Sequence, residues 1–256
     1  LIAIVCWLWQ GANLARDPVT REPRVYEATH VNASAQMWRE KLPIAHKFVC
    51  IADTELVERG GFDAGVEVIP LPESARWLTE LKTPEAGRFP TCYRRLWMFS
   101  EEAAAIADRF LVCDIDLVVV RDPTRIVERD EDFVGWRPKM RWGNPDRIGG
   151  GLYYLRAGAR PHVWENFRGA ESIQAARNAG YRGSDQAWMS YCLRGEAVYG
   201  DDAGIYSIRD LNNGALPLPA DARLVQFNGP VKPWQSTLPW VREHWPASRA
   251  HRESTL

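Results

Sequence analysis

The feature that most limits the fold of this chain is a set of short apolar runs in its first half. Ile2–Trp9, Lys47–Ala52, Val66–Ile69, Phe110–Asp114 and Leu117–Val120 are rich in Val, Ile, Leu and Cys, several at consecutive positions. A strand that is apolar on both sides belongs in a sheet covered on both faces. Helical patterns lie between and after these runs. Asn32–Lys41 stops before Pro43. Arg94–Ala107 carries Leu96, Phe99, Ala103 and Ile106 at spacings of three and four, which puts them on one stripe. Pro161–Ala179 and Ser184–Leu193 are two further helices. The alternation is the βαβ rhythm of an α/β domain.

The second half changes character. Phe133–Trp136, Gly151–Arg156, Ala197–Tyr199, Ile205–Ile208 and Leu224–Phe227 read as short strands, with Arg137–Ile148 a loop. Gly11–Arg24 and Leu71–Pro90 are rich in Pro, Gly and charge and read as loops or lids. No linker and no repeat interrupts residues 1–256, so a single domain is expected.

Composition narrows the function classes. With 32 basic against 33 acidic residues, the chain lacks the basic balance of a protein that grips polyanions over its whole surface. Twelve tryptophans are more than a core requires, and each offers a flat apolar face with one N–H donor. Sugars, bases and aromatic-lined clefts use such faces. The five cysteines form no C-x-x-C pair, and three sit in apolar runs, so buried free thiols in a reducing cytoplasm are expected. The five histidines show no metal-ligand spacing. No apolar run approaches the ~18 residues of a transmembrane helix, and the apolar start lacks the basic flank and cleavage site of a signal peptide.

Two segments carry chemistry. In Phe110–Asp122 an apolar strand runs into Asp114-Ile115-Asp116. Residues i and i+2 of an extended chain point to the same side. The two carboxylates therefore stand together at a strand's C-terminal end, where open α/β sheets bind ligands. Paired carboxylates call for a cation, and hard oxygen donors suit Mg²⁺ or Mn²⁺, which can bridge to a diphosphate. In Leu224–Trp234 a short strand ends in a Gly229-Pro230 turn followed by Lys232-Pro233-Trp234. The turn frees backbone N–H groups, and Lys232 adds a point charge suited to phosphate.

With both segments the chain resembles the GT-A fold nucleotide-sugar glycosyltransferases, most closely the retaining family of glycogenin and bacterial lipopolysaccharide galactosyl- and glucosyltransferases. That family joins a D-x-D after an apolar strand to a later H-x-x-G-x-x-K-P-W. Gly229, Lys232, Pro233 and Trp234 match the second pattern, and Gln226 stands at its His. Three more segments follow in the family's order. Tyr93-Arg94-Arg95-Leu96 matches its Y-x-R-L helix, Gly149-Gly150-Gly151 its N-A/S-G segment and Asp185-Gln186 its D-Q pair.

The resemblance implies a single Rossmann-like α/β domain with a mixed central sheet flanked by helices. It implies a donor-binding part over about 1–122 and an acceptor-binding part over about 123–256. It places a UDP-sugar donor near Trp7, Trp9, Arg95, Gly150, Gly151, Gly229 and Lys232, and the transferred sugar near Asp185 and Gln186. It places Mn²⁺ or Mg²⁺ on Asp114, Asp116 and Gln226. A glutamine still offers a neutral carbonyl oxygen where the family has imidazole, so weaker binding or a changed metal preference is expected.

The acceptor is less constrained. A glycan hydroxyl is the default. Trp136, Arg137, Lys139, Arg141 and Trp142 interleave aromatic and cationic side chains in one loop and form the candidate acceptor site. The same pattern admits a hydroxylated base in DNA. A catalytically silent sugar- or nucleotide-binding relative is a third reading, raised by Gln226 and Gly149. A nucleotidyltransferase is disfavoured, because Gly11 is the one glycine after the first strand and a phosphate loop needs several.

Overall fold

A computed structural model describes residues 1–9, 26–82, 92–139, 144, 146–229 and 231–246. Among these, six strands form one mixed sheet in the order β3-β2-β1-β4-β7-β6. They are β1 (Ile2–Leu8), β2 (His46–Ala52), β3 (Val66–Pro70), β4 (Arg109–Cys113), β6 (Phe133–Gly135) and β7 (Leu152–Arg156). A smaller sheet, β5-β9-β8, holds β5 (Leu117–Val119), β8 (Ile205–Ser207) and β9 (Leu224–Gln226). Strands β1 to β4 run parallel, while β7 is antiparallel to both β4 and β6.

The consecutive apolar positions of the strands follow from two cores, one on each face of the sheet. Ile2, Ile4, Cys6 and Leu8 of β1 join one core. Ala3, Val5 and Trp7 join the other. The first core is covered by α1 (Ala28–Lys41) and the smaller sheet, with short α3 (Thr124–Val127) and α7 (Pro239–His244) at its margin. Trp38, wholly buried, anchors α1 there. The second core is covered by α4 (His162–Glu165), α5 (Ala170–Asn178), α6 (Asp185–Cys192) and the 3₁₀ segments. The short α2 (Thr54–Arg59) closes at Gly60, whose φ of +72° suits glycine.

The helices depart from the sequence expectations in instructive ways. Arg94–Ala107 is not one α-helix but two 3₁₀ segments, Cys92–Phe99 and Glu101–Ala105, broken at Ser100. Every residue of the first is buried, so it packs on all sides instead of along one stripe. Pro161–Ala179 is split at Gly169, whose φ of +59° no helix interior accepts. Glu73–Glu80 forms a 3₁₀ helix inside the segment read as a loop. Ala197–Tyr199 gives only an isolated bridge between Val198 and Gly135.

The sheet order positions the site. Strands β1, β2 and β3 build outward in one direction, and β4 starts on the opposite side of β1. The β1/β4 junction is thus a topological switch point, where the carboxyl ends of open α/β strands leave a crevice. Trp9 follows β1 there, and Asp114 follows β4.

Candidate active site

Register brings the site together. Asp114 continues β4, and its N–H donates to Gly151 O at 2.9 Å, so Gly151 lies across from it. Leu117 of β5 pairs with Gln226 of β9, and Phe227 N–H donates to Asp116 O at 3.0 Å. These pairings seat Gln226 and the Lys232 turn against Asp114-Ile115-Asp116 from more than a hundred residues away.

The side chains interlock. Gln226 Nε2 donates to Asp114 Oδ2 at 2.9 Å. Arg95 Nη1 donates to the other oxygen, Asp114 Oδ1, at 2.5 Å. The same guanidinium forks onto Asp185, Nε to Oδ2 at 2.7 Å and Nη2 to Oδ1 at 3.1 Å. Ser184 Oγ adds a third donor to Asp185 at 2.8 Å. Lys232 Nζ pairs with Asp116 and donates to Phe227 O at 2.9 Å. Tyr26, which the sequence did not single out, aims its hydroxyl at Asp116 Oδ2 from 3.4 Å. Its ring meets Trp234 edge-on, centroids 5.3 Å apart. No sequence motif marks Tyr26.

Burial sorts these groups. The Asp116 side chain is 7% exposed, whereas that of Asp114 is 35% exposed. Burial raises the Asp116 carboxyl above its ordinary range, opposed by the Lys232 ammonium and assisted by Asp114. For Arg95, burial pulls the guanidinium down, but Asp185 and Asp114 overcome it and hold it firmly protonated. Asp185 is wholly buried, while its neighbour Gln186 is half-buried and accessible. The two members of the D-Q pair are therefore not equivalent: Asp185 anchors Arg95, and Gln186 is partly open to solvent.

Glycines line the approach. An added Cβ on Gly150 would lie 3.0 Å from Asp185 Oδ2 and 3.1 Å from Gln186 Cβ. On Gly151 it would lie 1.8 Å from Gln226 Nε2 and 2.2 Å from Asp114 Oδ2. Gly229 is buried beside Ile208 and Asn213.

The donor chemistry fits a hard divalent cation. Among the described residues no group of three or more His, Cys, Asp or Glu could hold a metal. The available set is two carboxylates and a carboxamide, all oxygen donors. Gln226 Oε1 is buried without a hydrogen-bond partner, while its Nε2 serves Asp114. The two ends of an amide are assigned from such contacts. Turned over, this amide offers its carbonyl beside a carboxylate oxygen, an arrangement that a hard cation accepts.

The tryptophans divide differently from the sequence expectation. Trp7 is 4% exposed and meets Trp97 edge-on inside the second core. Its indole is a packing face, because residue 7 points to the helix-covered side of β1. Trp9 is half-buried at the strand end, with the Arg94 guanidinium 5.1 Å above its ring and Asp53 pairing that arginine. Trp136 is 5% exposed, tucked beneath Gly149, and Trp245 is wholly buried. Trp77, by contrast, is 43% exposed.

In the candidate acceptor loop, Arg137 faces Asp146 at 3.8 Å and Lys139 faces Asp201 at 3.3 Å. Arg141 and Trp142 lie outside the described residues. Cys6, Cys50 and Cys113, the thiols in apolar runs, are buried and free, as is Cys92, and Cys192 is free and half-buried. Among the described residues no helix is long and apolar enough to cross a membrane.

No protein-family model matches the chain, and no curated protein matches it in sequence. Solved structures do match its fold. The galactosyltransferase LgtC, in complex with donor and acceptor sugar analogues, superposes with a TM-score of 0.63 at 14% identity, over 99% of this chain and 95% of that one. GlyE, a glycosyltransferase of Streptococcus pneumoniae TIGR4, gives 0.58 at 14% identity over 100% of this chain and 64% of its own. Mouse xyloside xylosyltransferase 1 gives 0.55 at 9% identity over 89% and 98%. The chain therefore has the GT-A fold of glycosyltransferases, with its paired aspartates at the switch point of the sheet.

Proposed function

We propose that this protein is a metal-dependent glycosyltransferase that moves a hexose from a UDP-sugar to a glycan hydroxyl with retention. The reading rests on the meeting of Arg95, Asp114, Asp116, Asp185, Gln226 and Lys232 at the β1/β4 crevice of a GT-A fold. Asp114, Asp116 and Gln226 would hold Mn²⁺ or Mg²⁺. When bound, the cation supplies the positive charge that helps a diphosphate depart.

The remaining roles belong to side chains of this chain. Lys232 carries an ammonium to Asp116 and can take up a phosphate oxygen. Arg95 is a positioning residue that ties Asp185 to Asp114 and sets the wall beside Gly150. Gly150 and Gly151 leave room for a sugar to approach the backbone. Gln186, accessible next to buried Asp185, would hydrogen-bond the transferred sugar. Retention is carried by the family resemblance. Donor binding draws on Gln226 and Lys232, so the 123–256 part contributes to both substrates.

The deciding experiment is a donor panel read by UDP or GDP release with and without Mn²⁺. UDP release from UDP-glucose or UDP-galactose that needs the metal and is lost in Asp114→Asn is expected. Absence of both UDP release and metal-dependent donor binding would overturn the reading. Metal-dependent binding without release would leave a silent relative. No observation favours a DNA acceptor, since Arg137 and Lys139 are engaged by carboxylates of the protein.

A further inference from the structure

Arg147 is anomalous. It lies just before the Gly149–Gly151 segment and is half-buried. Its Nε is fully buried and has no hydrogen-bond partner. Among the described residues it forms no ion pair, and its side chain donates to no acceptor, unlike the other arginines of this wall, Arg94 and Arg95. A buried donor of a charged group that goes unmet costs more than a neutral one, and such groups in folded proteins call for a reason.

Its position supplies one. The point where a Cβ of Gly183 would stand is 3.4 Å from Arg147 Nη2 and 2.8 Å from Gln186 Nε2. The guanidinium and the Gln186 amide therefore lie side by side over Gly183, where even a methyl group would crowd them. Ile148 N–H donates to Ser190 Oγ at 2.9 Å, which ties the backbone beside Arg147 to α6 and fixes the arginine against it. Burial lowers the Arg147 guanidinium; the Asp185 charge opposes this, and the Arg209 charge adds to it. Arg209 is exposed and likewise has no ion-pair partner among the described residues. It leaves the turn after β8, where its N–H donates to Ser207 Oγ at 3.0 Å and the next carboxyl, Asp210, is occupied by Ser207 N–H at 2.9 Å. Asp185 cannot serve as the missing partner, because Arg95 and Ser184 already use its oxygens.

We infer that Arg147 binds the carboxylate of an acidic sugar held beside Gln186. A guanidinium presents parallel N–H groups that match a planar carboxylate. One monoanion pairs with this unpartnered guanidinium without placing a dianion near Asp185. The inference rests on the glycosyltransferase reading, and the acid can belong to either substrate, as a uronic acid in the donor or in the acceptor.

Two binding titrations distinguish these sources. UDP-glucuronate is compared with UDP-glucose in Mg²⁺, and methyl β-glucuronide with methyl β-glucoside on UDP-saturated protein. In one arm the acidic sugar should bind at least about tenfold more tightly, the worth of a single charge-assisted pair. Arg147→Met should abolish that preference, Arg147→Lys should restore part of it, and thermal melting of each variant reports folding. Equal affinity for acidic and neutral sugars in both arms overturns the inference, as does a preference that survives in Arg147→Met. Binding of UDP alone by the wild type tests the underlying reading separately: if UDP binds and neither acid is preferred, only the Arg147 assignment fails.

Discussion

Gly151→Ala probes the space shared by the glycine segment and the paired carboxylates. The methyl carbon would stand 1.8 Å from Gln226 Nε2, 2.2 Å from Asp114 Oδ2 and 2.9 Å from Asp114 Cγ, where ordinary contacts begin at 3.4 Å. Subtracting gives overlaps of 1.6 Å and 1.2 Å with the first two atoms. Gly151 is not in the left-handed region, so the methyl brings no backbone strain and the whole cost is displacement. Overpacking of this kind costs about 1–3 kcal/mol. At about 2–4 °C per kcal/mol for a chain of this size, Tm should fall by roughly 2–12 °C. The displaced side chains are two of those assigned to the cation, so Mn²⁺-dependent UDP affinity should fall by about tenfold or more. Gly150→Ala is the internal comparison, because its Cβ meets neighbours at 3.0 to 3.2 Å and asks them to yield only a few tenths of an ångström. Calorimetric melting and a titration of UDP with Mn²⁺ read both effects. Wild-type affinity and Tm in Gly151→Ala, or a larger loss in Gly150→Ala, would refute the reasoning.

Arg95→Met should destabilise the fold by about 3–5 kcal/mol in urea, because it leaves the wholly buried Asp185 unpaired. Adding Asp185→Asn should recover part of that loss, and purely additive losses would contradict the pairing. Gln226→His should strengthen Mn²⁺ binding without nucleotide, followed by electron paramagnetic resonance, while Gln226→Leu weakens it; unchanged binding in both variants removes Gln226 from the metal set. The Asp122 carboxyl is held below its ordinary value by the Thr124 hydroxyl and backbone N–H, at 2.5 and 2.8 Å. The stabilisation it gives is present above the usual carboxylate range near ~3.9 and is lost as pH falls through the lower folded value. Thr124→Val should raise the Asp122 titration in NMR, with a stability difference at pH 7 that vanishes in strong acid.

The strands were legible because burial on both faces demands apolar side chains at every position, and β1, β2 and β4 show that directly in sequence. The 3₁₀ segment Cys92–Phe99 was not, since a helix buried all round gives no stripe to read. Asp114, Asp116 and Lys232 were legible as chemistry through local spacing. Their partners were not: Arg95 meets Asp185 across 90 residues and Lys232 meets Asp116 across 116, and neither pairing leaves a mark on its own neighbourhood. The resemblance puts Trp7 beside the donor, and the interleaved cations put Trp136 in the acceptor loop, but strand alternation and the Gly149 contact bury them. Arg147 carried no signal until its missing partners were visible.

The β5–β9 pairing also has a consequence for when the site comes into being. The six strands of the main sheet all lie within residues 2–156, so that sheet can form before residues 224–232 leave the ribosome. Asp114 and Asp116 then stand with neither Gln226 nor Lys232, two carboxylates in an unfinished crevice. Donor binding should therefore appear late in synthesis, in one step, when β9 docks on β5. Contacts this distant in sequence form slowly, and a nascent chain halted near residue 220 would hold a formed sheet with no closed site.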